Sequence, residues 1–264
     1  MTGKPSGPLP LDAPVPGSSF TDLLQWIGAA PEVTIPPGSS PVSAPEGTTV
    51  LALRHQGGVV MAGDRRATEG HLVAHRRIRK VFPADRYSAV AIAGVAGLAM
   101  DMVKLFQVEL EHYEKIEGIR LSLEGKASFL ARLVRGQLPM AFQGLVVVPI
   151  FAGYDDKEGR GRVYTFDVVG GRYEETDFGS TGSGARLAKS YLRTAYEDDM
   201  TPEAAMALAV NALVAASSED TGTGAPDLLR GILPNVVRIE ADGVAEVPDE
   251  IVFPLAENAM ENVR

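Results

Sequence analysis

The chain of 264 residues has no cysteine. That absence removes disulfides, zinc–thiolate sites and a thiol nucleophile together, and it fits a reducing cytosol. Positive charge is also scarce. Lys and Arg number 25 against 34 Asp and Glu, a formal net charge of -9, so nucleic acid is not an expected partner. No apolar run reaches the roughly 18 residues of a membrane span. The nearest, SAVAIAGVAGLAMDMV, is broken by glycines and by Asp101. The N-terminus carries only Lys4 and no apolar stretch, so no secretory signal and no membrane partner are expected. No repeat of about 20 to 50 residues is visible.

Missing motifs narrow the chemistry further. There is no G-x-S-x-G elbow. His71 and His75 stand four apart but lack the H-E-x-x-H context of a metal site. They fall in EGHLVAHRR, which reads as a loop, so they read as surface histidines. GSTGSGAR, residues 179–186, is a glycine-rich turn ahead of a helix. It lacks the lysine of a phosphate-binding loop, and it reads as a tight turn.

What is present falls into two regions. Residues 1–47 hold 10 of the 18 prolines, with Lys4 set against Asp12, Asp22, Glu32 and Glu46. Proline fixes φ and removes backbone donors, so no sheet or long helix is expected there. One island differs: SSFTDLLQWIGAAPE, with Phe20, Leu23, Leu24 and Ile27 on one face of a short helix, beside Trp26, the only tryptophan.

From Thr48 the pattern is that of a folded domain. TTVLALRHQ and GVVMAGD predict a hairpin around Gly57-Gly58. KVFP and YSAVAIAG predict two more strands. Residues 97–118 and about 123–141 predict helices, with Leu98, Met102, Leu105 and Val108 on one face of the first, and Phe129, Leu130, Leu133 and Val134 in the second. GLVVVPIFAGYD, GRVYTFDVVG and GRYEETDFGS predict strands. SGARLAKSYLRTAYE and TPEAAMALAVNALVAASSE predict helices, the second capped by Thr201 with Pro202 at its first position. NVVRIEADGVAEVP predicts a last hairpin, and an amphipathic segment follows from about Pro254. Strands and helices come in groups rather than in strict alternation. That disfavours a doubly wound parallel sheet and suits an α+β fold of antiparallel sheets with helices layered outside.

The junction SAPEGTTV raises the chemical question, because the domain starts at a threonine directly after a glycine. A threonine hydroxyl is a weak nucleophile without a base. The residue's own α-amine supplies one if the preceding peptide bond is cut. Its pKa of roughly 7.7–8.0 suits proton transfer, and a nearby ammonium lowers it. Such chemistry needs a strand-leading threonine (Thr48), a carboxylate (Asp64, at the end of the second strand) and a lysine (Lys80, opening the third). Gly47 tolerates the backbone geometry that brings the Thr48 hydroxyl to its own preceding carbonyl.

GTTVLALRHQGGVVMAGDRRATEG followed by Lys80 resembles the start of a 20S proteasome β subunit, an N-terminal nucleophile hydrolase. The likeness runs on through AIAGVAGLAMDM, GSTGSGAR and SSEDTGTGAPD. The long segment ahead of Thr48 and the DRRATEG stretch resemble the actinobacterial branch. The resemblance implies a four-layer αββα sandwich with two antiparallel sheets, formed by residues 48–264 after autocatalytic removal of a pro-segment, 1–47. It implies Thr48 as nucleophile with its freed amine as base, Asp64 and Lys80 as the supporting pair, and the Gly94 N–H for the oxyanion. Ser183 and Asp220 complete the support, and Thr223 stands where the family often has serine. Thr68 and Ala96 offer backbone groups to an extended substrate. Ala67, Ile78, Phe82, Ile92, Ala96 and Met100 line an apolar specificity pocket, which implies chymotrypsin-like cleavage. No metal or cofactor is implied. The implied partners are other β subunits and α subunits in stacked heptameric rings (α7β7β7α7), an ATP-dependent unfoldase acting through the α ring, and unfolded protein substrates, in the cytoplasm. Two rival readings share these features. One is the peptidase of the bacterial two-component protease with hexameric rings, which is usually shorter than the 217 residues from Thr48 to Arg264. The other is a non-catalytic ring subunit.

Overall fold

The computed structural model describes residues 47–69 and 72–262. The helical island around Trp26 and the residue His71 lie outside the described residues. Twelve strands and six α-helices are described.

One five-stranded sheet has the order β10-β1-β2-β11-β12. Its strands are β1 (Thr49–His55), β2 (Gly58–Gly63), β10 (Phe178–Gly182), β11 (Asn235–Glu240) and β12 (Gly243–Glu246). The second sheet runs in sequence order from β5 (Val81–Asp85) through β6 (Ser88–Gly94), β7 (Val147–Asp155) and β8 (Arg160–Phe166) to β9 (Arg172–Glu175). Every pairing is antiparallel.

Side chains on a strand alternate between faces, and both faces of each sheet are covered here. On β1, Val50 and Ala52 join Val59 and Met61 of β2 in a core between the sheets, where they meet Ala89, Ala91 and Ile150. Leu51 and Leu53 point the other way, into a second core against α4 (Ala185–Ala195), α5 (Pro202–Glu219) and α6 (Asp249–Glu261). Val90, Phe151 and Tyr164 of the second sheet face a third core against α1 (Ala96–Glu117) and α2 (Leu123–Gly136). The result is a four-layer αββα sandwich. The sheets approach closely: a Cβ on Gly161 of β8 would lie 2.4 Å from the Gly58 carbonyl oxygen of β2. Helix α5 is buried on most of its circumference, between the first sheet and its neighbours. Its cap is the one expected, the Thr201 hydroxyl accepting the Ala204 N–H at 3.2 Å.

The structure corrects several expectations. EGHLVAHRR is not a loop, since β3 (Ala67–Glu69) and β4 (Leu72–His75) pair as a two-stranded ribbon. His75 is exposed on it. GRYEETDFGS is not one strand. It divides at Thr176-Asp177 into β9 and β10, which belong to different sheets. The inner face of α1 carries Ala99, Met102, Val103, Phe106 and Leu110, while Leu105 and Val108 are exposed. Two apolar stripes of helical spacing run along α1, and the sheet takes the one with Phe106. The stretch 123–141 breaks at Gln137 into α2 and the single turn α3 (Leu138–Ala141), whose Pro139 lacks an N–H to extend α2. The last helix begins at Asp249, with Pro254 inside it.

Candidate active site

The functional residues of the sequence reading collect at one end of the first hairpin. Val50 pairs with Gly63, which puts Asp64 across from Thr49. The Asp64 N–H donates to the Thr49 carbonyl at 3.1 Å. On the other side of β1, the Ser183 N–H donates to the Thr48 carbonyl at 2.8 Å. The Thr48-Thr49 start of β1 is thereby held from both sides, Thr49 by Asp64 and Thr48 by Ser183.

Asp64 is buried and its carboxylate is fully engaged. Oδ1 accepts the Thr49 N–H at 2.8 Å and Lys80 Nζ at 2.7 Å. Oδ2 accepts the Arg66 and Gly224 N–H groups, each at 2.9 Å. Lys80, also buried, places its three ammonium protons near Asp64, the Arg66 carbonyl at 2.5 Å and the Gly47 carbonyl at 3.3 Å. Burial pushes the Lys80 pKa down, against the pull of Asp64, and the net direction is below the ordinary lysine value. The Gly47 carbonyl oxygen also accepts the Thr48 hydroxyl at 2.7 Å. One carbonyl thus meets the hydroxyl and the ammonium together.

The demand for glycine at position 47 is a matter of space. A Cβ there would lie 2.4 Å from Thr68 Oγ1 and 2.6 Å from the Gly222 carbonyl oxygen. Gly94 is constrained differently. Its φ of 115° is left-handed, and a Cβ would lie 2.0 Å from the Val146 carbonyl oxygen. Ile92, two residues earlier, donates its N–H to the Lys80 carbonyl at 2.9 Å. The alternation of a strand turns the Gly94 N–H to the same edge of β6, and Gly94 lines the same cavity as Thr48.

A second polar group closes the other flank. Ser183 Oγ lies 3.4 Å from the Thr48 nitrogen and 2.6 Å from Asp220 Oδ2. Thr223 Oγ1 donates to the same Asp220 oxygen at 2.5 Å. Burial works to raise the Asp220 pKa, but hydrogen bonds from Ser183, Thr223 and the Gly222 N–H outweigh it, and the carboxyl sits below its usual range. Thr223 does not reach Thr48. Its other partner is the Thr49 hydroxyl, at 2.5 Å.

A cavity of about 290 Å³ opens beside Thr48. Ala67, Ile78, Phe82, Ile92, Ala96 and Met100 line it, along with Gly47, Lys80 and Gly94. Thr68, expected to meet substrate through its backbone, is not among the residues lining this cavity. Arg79 and Ala99 line it too and were missed. Arg79 pairs with Glu246 across to β12. Sequence reasoning also missed Thr49, Gly222 and the backbone groups of Arg66 and Gly224. The doubled threonine in GTTV was the one signal for Thr49. Backbone donors leave no mark in a side-chain pattern.

The sequence was compared with known proteins. A family model described as "Proteasome subunit" matches residues 44–226. A proteasome subunit beta of Acidimicrobium ferrooxidans is 50% identical over 249 residues, 94% of this chain and 91% of that protein. A proteasome subunit beta of Streptomyces griseus is 48% identical over 264 residues, 98% of this chain and 93% of its own length. One of Stackebrandtia nassauensis is 48% identical over 261 residues, covering 94% and 93%. Coverage of 98% takes in most of the proline-rich segment as well as the folded domain. These likenesses set aside the peptidase of the two-component protease. On a match that spans most of the chain, and at about half identity to actinobacterial β subunits, the chain belongs to the proteasome subunit family.

Proposed function

We propose that this chain is a threonine endopeptidase of a 20S proteasome core, made as a precursor and activated by cleavage of its own Gly47–Thr48 bond. The observation that carries the reading is the Gly47 carbonyl, met at once by the Thr48 hydroxyl and the Lys80 ammonium. In self-cleavage, Thr48 Oγ1 adds to the Gly47 carbonyl carbon while Lys80 faces the carbonyl oxygen. The C–N bond breaks, the Thr48 nitrogen takes up the proton, and an ester joins Gly47 to Thr48. Water hydrolyses the ester. Residues 1–47 leave as the pro-segment, and residues 48–264 remain with a free α-amine.

That amine is the base for turnover. It takes the proton of Thr48 Oγ1 as the oxygen adds to a substrate carbonyl. The Gly94 N–H receives the oxyanion, where a preorganised donor is worth most. The amide C–N bond breaks, and the departing amine takes the proton. The threonyl ester is then hydrolysed. Lys80 lowers the pKa of the nearby amine by like-charge repulsion, and Asp64 holds Lys80 in place. Ser183 and Asp220 orient the amine, and Thr223 orients Asp220. Thr68 and Ala96 present backbone groups to an extended substrate. The cavity walls favour large apolar side chains, hence chymotrypsin-like cleavage.

The β-subunit likeness supports assembly in rings with α subunits, and with it a cytoplasmic place, an ATP-dependent unfoldase and unfolded protein substrates. The test is peptidase activity after co-expression with an α subunit from an actinobacterial 20S core. Fluorogenic peptides ending in Phe, Tyr or Leu should be cleaved, and Thr48→Ala should abolish cleavage. Activity retained by Thr48→Ala would overturn the reading.

A further inference from the structure

The distances around Asp220 fix an order of protons. Asp220 Oδ2 takes contacts from Ser183 Oγ at 2.6 Å and Thr223 Oγ1 at 2.5 Å. An ionised carboxylate only accepts, so each hydroxyl commits its one proton to it. Thr223 Oγ1 also lies 2.5 Å from Thr49 Oγ1. With the Thr223 proton already committed, the proton of that contact belongs to Thr49. Thr49 Oγ1 in turn accepts the Gly184 N–H at 3.0 Å. The chain of donors runs one way, from Gly184 through Thr49 and Thr223 into Asp220.

Two further facts make this chain demanding. Thr49 and Thr223 are both fully buried, so water cannot stand in for either partner, and an unpaired buried hydroxyl is costly. A Cβ on Gly184 would lie 2.5 Å from each threonine hydroxyl oxygen; only glycine there lets the two meet. The consequence reaches the nucleophile. Ser183 spends its proton on Asp220, so its lone pair faces the Thr48 nitrogen, and its 3.3 Å approach to the Thr48 carbonyl has no proton left.

We propose that Thr49 is a positioning residue. Its hydroxyl donates to Thr223 and holds Asp220 in register, so that Ser183 stays an acceptor for the Thr48 amine. Its backbone N–H meanwhile binds Asp64. Thr49 therefore ties together the two polar flanks of the nucleophile. The proposal rests on the reading of the Thr48 amine as base.

Thr49→Val keeps the shape and removes the hydroxyl; Thr49→Ala and Thr223→Val probe the same contact. All are made in the full chain, assembled with the α subunit. In Thr49→Val, kcat should fall about tenfold with KM within about twofold, the scale of one lost hydrogen bond. The acid limb of the kcat/KM profile should move to higher pH, because a less compensated Asp220 favours the ammonium form of Thr48. Thr49→Ser should restore both. Adding Thr49→Val to Thr223→Val should cost nothing more. A wild-type rate and pH profile in Thr49→Val or Thr49→Ala would overturn the proposal. So would failure of all three to assemble while Thr49→Ser assembles, since that assigns the hydroxyl to folding. Activity surviving Thr48→Ala instead removes the underlying reading, a separate outcome.

Discussion

Among the described residues, two buried lysines each pair with an aspartate, one fully buried and one partly exposed. Lys80 lies 2.7 Å from Asp64, and Lys126 lies 2.5 Å from Asp85. Both lysines are buried. Asp85 also accepts the Tyr87 N–H at 3.0 Å and the Ser88 hydroxyl at 2.6 Å, so its pair fastens α2 to the turn between β5 and β6. That is attachment. Lys80 instead reaches past its carboxylate to a carbonyl at the start of β1, beside a threonine hydroxyl and an apolar cavity. A buried ion pair is weak evidence of function by itself. What separates the two is the third partner of the ammonium.

The largest test of that difference is to remove each lysine. Lys80→Met should lower peptidase activity about 1,000-fold, the scale of losing general-base catalysis by the freed amine. Far-UV circular dichroism of the assembled particle should be unchanged. Lys126→Met should lower thermal stability by about 1 to 2 kcal/mol, the scale of a partly exposed carboxylate left without its partner, while the activity of what assembles stays within about twofold. Lys80→Met leaves the buried Asp64 unpaired and lowers stability as well. Activity lost equally in both would erase the distinction.

The next test moves the third partner. Gly47→Ala places a methyl against Thr68 and Gly222. It should slow self-cleavage about 100-fold, an estimate that assumes an ångström-scale shift of the carbonyl. The time course of precursor loss on gels checks this.

The smallest effect is in pH. The depressed Lys80 pKa puts its loss of a proton below the ordinary lysine range. Between the folded and unfolded pKa values the unfolded chain binds more protons. Stability due to Lys80 therefore rises with pH through that window and is lost as pH falls through the folded value. Activity should change the opposite way, declining on the alkaline side as the ammonium is lost. Melting temperatures of wild type and Lys80→Met against pH, set beside the rate profile, check the two signs.

The pattern in the sequence was legible where one physical rule dominated. Grouped strands and helices announced the layers. That Thr48, Asp64 and Lys80 come together was legible because the proposed chemistry needs those three types at strand ends. The face of α1 was not, because Leu105 and Val108 satisfy the same spacing as the buried stripe, and only the sheet chooses between them. β3 and β4 were hidden in a polar, arginine-rich stretch, since a ribbon exposed on its outer strand needs no apolar alternation. The crossing at Thr176-Asp177 was hidden for another reason: nothing in a run of strand-like residues says that its two halves pair with different sheets. In the site, the backbone donors of Arg66, Gly184 and Gly224 are set by close approach and carry no side-chain signature.

Intact mass spectrometry of the assembled particle decides whether the Thr48 amine is free. Wild type should give a chain beginning at Thr48, without residues 1–47 and so without Trp26, and Thr48→Ala should give the full-length chain. A full-length chain in a wild-type particle that still cleaves peptides would contradict the proposed mechanism, because the amine assigned as the base would still be an amide.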